Sequence, residues 1–142
     1  MGTVVEGRCH CGNVAFRLES DKAAGELPVR ACQCTFCRSH GARLTSDPAG
    51  RVTFSVRDES QLNRYRFGLK TADFLVCRTC GFYAGALMSD AGREYAIVNV
   101  NAVGARDHAW QEAVPMNYDG ENTAGRVDRR RERWSPATWK NL

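Results

Sequence analysis

Val14, Phe16 and Leu18 alternate with small or polar neighbours, and Val52, Phe54 and Val56 repeat the pattern around Thr53 and Ser55. Alternation with a period of two puts the apolar side chains on one face of an extended chain, so both stretches predict half-buried strands. Residues 95–103 are rich in β-branched side chains and predict a third. Turn signals separate these runs at Asp47-Pro48-Ala49-Gly50, Phe67-Gly68 and Cys80-Gly81. One short helix is expected over residues 107–114, with Asp107 as its N-cap. Tyr65, Phe67, Phe74 and Tyr95 read as core positions on strands, and Trp110 as core on that helix. After Pro115 the composition shifts, and residues 115–142 read as a basic tail docked onto the body by Trp134 and Trp139. The expected fold is mostly β, built of short antiparallel strands with at most one or two short helices. Residues 1–142 are expected to form a single domain.

The apolar share of 43% and charged share of 25% suit a soluble globular chain. The longest uncharged apolar run, residues 82–88, falls far short of the ~20 residues of a membrane helix. The N-terminal sequence carries no secretory pattern, and Glu6 stands where myristoylation wants Ser or Thr. A cytoplasmic protein without a membrane partner is expected. Its oligomeric state is not legible.

Seven cysteines change the picture. A reducing compartment disfavours disulfides, and an odd count defeats a fully paired framework. Crowded thiols then point to metal, with Zn²⁺ the expected cofactor. The formal charge of +4 treats the thiols as neutral; four thiolates on one Zn²⁺ and three on another leave +1. Nucleic-acid binding is accordingly not expected, and the arginine-rich residues 126–133 read as a solvated run.

The cysteines fall into three clusters. Cys9 and Cys11, two apart in a strand, face the same way. Cys77 and Cys80 form the C-x-x-C half of a tetrahedral site, and the two pairs together make a closed Cys₄ centre. Each pair is followed by a glycine, which permits the turn that aims backbone amides at the sulfurs. Cys32, Cys34 and Cys37 remain. Three protein ligands leave a fourth position for water or substrate, the arrangement of a catalytic zinc. Other pairings stay open: the middle cluster lending sulfurs to one shared site, or His10 or His40 closing a second.

The segments GRCHCGNVAF, CQCTFCRSHGA, YRFGLKTADFLVCRTCG and IVNVNAV, in that order over residues 7–103, resemble the glutathione-dependent formaldehyde-activating family, with a weaker echo at residues 116–120. The resemblance implies an Mss4-like fold and two zinc ions per chain. It assigns Cys9, Cys11, Cys77 and Cys80 to a structural zinc and Cys32, Cys34 and Cys37 to a catalytic one. It also implies a carbon–sulfur lyase chemistry, with a small-molecule thiol such as glutathione and an aldehyde such as formaldehyde as partners, giving S-hydroxymethylglutathione. One departure stands out. Many relatives carry a His shortly after the Cys-Gly knuckle, where this chain has Phe82-Tyr83-Ala84.

The addition needs a proton donor, and His40, three residues past Cys37, is the candidate by sequence. Arg38, Arg43 and Lys70 are candidates for the carboxylates of a glutathione-like thiol. His10, between two ligands that face one way, should face the other. The competing reading is a non-catalytic zinc protein that binds a thiol or a protein partner. Methionine sulfoxide reduction ranks last, because no cysteine follows Cys80.

Overall fold

A computed structural model describes residues 2–104 and 107–141. Among these residues eleven strands run in chain order: β1 (Thr3–Arg8), β2 (Val14–Ser20), β3 (Arg30–Cys32), β4 (Leu44–Thr45), β5 (Arg51–Val56), β6 (Leu62–Tyr65), β7 (Asp73–Cys77), β8 (Tyr83–Asp90), β9 (Arg93–Asn99), β10 (Val114–Met116) and β11 (Ser135–Asn141). Two short α-helices among the described residues join them, α1 (Thr35–Ser39) and α2 (Thr123–Arg133), so the fold is mostly β as expected. Among the described residues no helix is long and apolar enough to cross a membrane.

The alternation read from the sequence becomes packing directly. Val14, Phe16 and Leu18 on β2 bury against Val52 and Phe54 on β5, with Phe16 opposite Phe54. Phe16 also lies opposite Gly7 on β1, and its ring fills the space a Cβ at residue 7 would need. The apolar run at residues 82–88 is neither helix nor loop. It supplies β8, held between β7 and β9 and buried from Tyr83 to Met88.

β8 and β9 separate two cores. Ala84, Leu87, Ala96 and Val98 face one cluster with Phe16, Phe54 and Leu75. Tyr83, Ala86, Met88, Tyr95 and Ile97 face another with Phe74 and Trp134. Successive strand residues point to opposite faces, and a register shift against β7, where Leu75 pairs with Gly85 and Val76 with Tyr83, turns Tyr83 to the same side as Ala86, so one pair of strands serves both cores.

Three expectations are corrected. Residues 107–114 form no helix: the Asp107 amide turns back to Gly104, and the chain then runs extended into β10, where the Val114 amide bonds Val29. Pro115 has no amide for a helix and sits in that strand instead. Not every pairing is antiparallel, since β10 runs parallel to β3, and β11 parallel to β5. Residues 115–142 are no appended tail, because they build β10, α2 and β11. β11 begins antiparallel against β9 and continues beside β5, joining the two parts of the sheet. Trp134 is buried, and Trp139 packs 5.5 Å from Phe54. Phe74 and Tyr95 are buried as expected, Phe67 and Trp110 partly so, whereas Tyr65 is 43% exposed beside Phe36.

Candidate metal centre

Two hairpin turns bring the outer cysteines together. β1 ends into Cys9 and β7 ends at Cys77. In the first turn Gly12 (φ +86°) donates its amide to the Cys9 carbonyl at 3.0 Å; in the second, Gly81 (φ +78°) does the same to Cys77 at 2.8 Å. Both conformations are left-handed, which explains glycine after each pair. The sulfurs of Cys9, Cys11, Cys77 and Cys80 all lie within 4.8 Å of one another. Cys9 and Cys11 are 3.7 Å apart and Cys11 and Cys77 3.5 Å. A tetrahedral ion with Zn–S bonds near 2.3 Å sets its sulfurs about 3.8 Å apart, so the donor set fits zinc. The Val14 amide also points at Cys9 Sγ, 3.3 Å away. Burial pushes Cys9 up to about 12. At Cys80 burial also raises the value, but backbone amides and neighbouring thiols outweigh it and hold Cys80 down to about 6.

The middle cluster is built differently. Cys32 closes β3, Cys34 caps α1 and Cys37 lies within that helix. Their sulfurs also lie within 4.8 Å of one another. The Cys37 amide donates to Cys34 Sγ at 3.4 Å, with the sulfur in the place of an N-cap oxygen. The Cys32 and Cys37 thiols and the first amides of α1 hold Cys34 down to about 2. Those same neighbours, and then burial, push Cys37 up. Three sulfurs on one side suit a tetrahedral metal with an open face.

That open face meets a cavity of about 80 Å³. Leu44, Phe67, Phe74 and Ile97 make its apolar wall. Arg30 and three arginines of α2 (Arg126, Arg129 and Arg130) make the polar one. Glu121 bridges two of these, 3.1 Å from Arg126 Nε and 2.7 Å from Arg129 Nε. The bond from Arg129, then that from Arg126, holds its carboxyl below the usual range despite burial. Arg129 lies over the Tyr118 ring at 3.5 Å. Arg130 is buried, donates to Thr71 Oγ1 at 2.6 Å and stacks on Trp134. Burial and the charges of Arg129 and Arg126 lower it to about 10. Tyr83, 1% exposed, also lines the cavity, and its hydroxyl has no partner among the described residues. Burial, then the charge of the cysteine cluster, raises it well above the ordinary tyrosine value.

His40, the donor suggested by sequence, caps the C-terminal end of α1. It is exposed, with Nδ1 2.9 Å from the Phe36 carbonyl and its ring 5.7 Å from that of Tyr83, outside the lining of the cavity. Arg38 and Arg43 line a separate shallow groove behind Cys32 and Cys37, where Arg43 Nε bonds Asn101 at 2.7 Å. Lys70 is exposed and lies outside both. His10 is exposed, as expected.

Sequence reasoning missed Tyr83, Tyr118, Arg30 and Arg130. Tyr83 was hidden in the apolar run of β8. The arginines of α2 read as a solvated run because a helix that buries Arg130 and only partly covers Val127 shows no apolar stripe. The available signal was Asn122 at the N-cap, accepting the Gly125 amide at 2.8 Å.

The model of the glutathione-dependent formaldehyde-activating enzyme family matches residues 4–118, wider than the 7–103 expected from the motifs. A crystal structure of a Rhodobacter sphaeroides protein is 35% identical, covering 78% of this chain and 97% of its own, with a TM-score of 0.55. No match was found among the curated proteins.

Proposed function

The chain belongs to the glutathione-dependent formaldehyde-activating family, and from that premise we propose that it joins a small-molecule thiol such as glutathione to a small aldehyde such as formaldehyde. The product is the S-hydroxymethyl thiol, and the reaction is a carbon–sulfur lyase step run toward addition. The observation that carries this reading is the cavity at the open side of Cys32, Cys34 and Cys37. A purely structural site has no use for one; the closed Cys9–Cys11–Cys77–Cys80 set is the structural centre.

Cys32, Cys34 and Cys37 would hold a zinc ion, which would supply a Lewis acid favouring a thiolate over a thiol at neutral pH. The walls formed by Leu44, Phe67, Phe74 and Ile97 keep water from the reacting pair. In the addition, the S–H bond breaks, a C–S bond forms and the carbonyl oxygen takes the proton. Tyr83 keeps its proton at neutral pH and has no other acceptor, so it donates to that oxygen. His40, exposed at the C-terminal end of α1, stands outside the cavity and takes no part in this transfer. Arg38 and Arg43 offer charge to the carboxylates of a thiol held along the outer groove.

The test is zinc per chain on reduced protein, followed by a thiol–formaldehyde assay on the same sample. About two ions per chain are expected, with turnover that disappears in Cys34→Ser. Two ions with no turnover of any thiol and aldehyde pair would return the protein to the alternative class, a zinc protein that binds without catalysis.

A further inference from the structure

Three of the four buried side-chain atoms without a hydrogen-bond partner among the described residues belong to residues lining one cavity: Tyr83 Oη, Tyr118 Oη and Arg130 Nε. The fourth belongs to Trp110, outside it. Buried polar atoms are nearly always paired, so their gathering points to a polar occupant.

The charges specify its sign. Arg130 is 7% exposed and bonds a hydroxyl, Thr71 Oγ1, rather than an acid. Arg30 likewise bonds a hydroxyl, Ser46 Oγ, at 3.0 Å. Among the described residues neither guanidinium has a carboxylate within ion-pair distance. The acids nearby are Glu121, already shared by Arg126 and Arg129, and Asp119 at the exposed rim. A buried guanidinium left without an anion is unfavourable, and its forked donors match a carboxylate.

The size limits the carrier. An engineered apolar cavity of about 150 Å³ takes one benzene, so about 80 Å³ admits a smaller molecule. The carboxylates of a tripeptide thiol lie several bonds from its sulfur and do not share so small a space with it. Resting on the thiol–carbonyl reading above, we infer that the carbonyl partner is a two-carbon 2-oxo acid, its carboxylate held by Arg130 and Arg30 and its carbonyl oxygen receiving a hydrogen bond from Tyr83. The step remains balanced without any redox partner. A C–S bond forms, the S–H bond breaks, and the proton ends on the former carbonyl oxygen, giving a 2-hydroxy-2-thio acid.

Binding tests this apart from turnover. Glyoxylate, acetate and formaldehyde are titrated into zinc-loaded protein without thiol, read by calorimetry and by the fluorescence of Trp134 against Arg130. Glyoxylate is expected to saturate, acetate to compete with it, and Arg130→Met to weaken both roughly tenfold or more. Arg130→Lys should fall between. Arg30→Gln, at a partly exposed position, repeats the test should Arg130→Met fail to fold. Tyr83→Phe should weaken glyoxylate and spare acetate. Glyoxylate that does not bind, or binds equally to wild type and both arginine variants, overturns the inference even if formaldehyde and glutathione are turned over. Competition of acetate with glutathione but not with glyoxylate overturns it too, placing the anion on the thiol. Arginine-dependent glyoxylate binding without any thiol addition supports the site and counts against the proposed reaction instead.

Discussion

Gly81 sits at φ +78° with nothing within 4 Å of the position a Cβ would occupy. Gly81→Ala therefore meets no clash and carries backbone strain alone, about 1–2 kcal/mol. Urea denaturation should show that loss with little change in metal content. Tyr83→Phe should behave in the opposite way. Removing a hydroxyl that has no partner leaves stability unchanged or raised. Removing the donor to the carbonyl oxygen should lower turnover by about 10²-fold. His40→Ala, at an exposed cap, should keep most of it; a collapse there with Tyr83→Phe unaffected would move the proton donor to the rim. The cysteines were legible because metal ligands obey short spacings that survive without three-dimensional knowledge. Tyr83 was not, because an aromatic inside an apolar run looks the same whether its hydroxyl faces a ligand or packs idly.

Helix α2 shows why an element can be misread. Its residues 126–133 read by sequence as a solvated charged run, yet Arg129 and Arg130 are held by Tyr118, Thr71 and Trp134 and form one wall of the cavity. Charge periodicity carries no mark of which arginines will be covered, whereas the strands β2 and β5 announced their buried faces by alternation. Residues 107–114 show the converse: Asp107 offers an N-cap, but the chain pairs as a strand by Pro115, which has no amide for a helix. Glu121 gives α2 a pH dependence. Its carboxyl is depressed in the folded state, so its stabilising contribution is complete above the ordinary carboxylate value and is lost as pH falls through the depressed one. Acid titration by near-ultraviolet circular dichroism should show loosening of the Trp134 environment below the ordinary value. Glu121→Gln should remove that step and lower stability at neutral pH. An unchanged acid limb in the variant would assign the dependence to another group.

On the scale of the whole molecule the two cysteine clusters border different cores: Cys9 and Cys77 the one with Phe16 and Phe54, Cys37 the one with Phe74 and Trp134. They should differ in consequence when broken. Cys77→Ser opens a clip between hairpins 66 positions apart and should cause loss of cooperative unfolding or of soluble protein. Cys34→Ser should leave the thermal transition largely intact while abolishing turnover. Equal damage from both would make the middle cluster structural. The sharing of β8 and β9 between the cores was not visible in the sequence, because it depends on pairings between distant segments. The closest hints were the uninterrupted burial implied by residues 82–88 and the β-branched run that became β9.

β11 hydrogen-bonds both β5 and β9, and α2 precedes it directly. Translation delivers residues in order, so every ligand of the closed Cys₄ centre emerges while this strand is still to be made. Zinc capture at the first centre can begin on a nascent chain. The arginine wall and the seam between the two parts of the sheet arrive only afterwards. For several seconds at typical elongation rates, about 5–20 residues per second, the open Cys₃ cluster stands without its cover. It is then exposed to any soft metal or oxidant in the cell, and the time taken to make and dock α2 decides how long that vulnerability lasts.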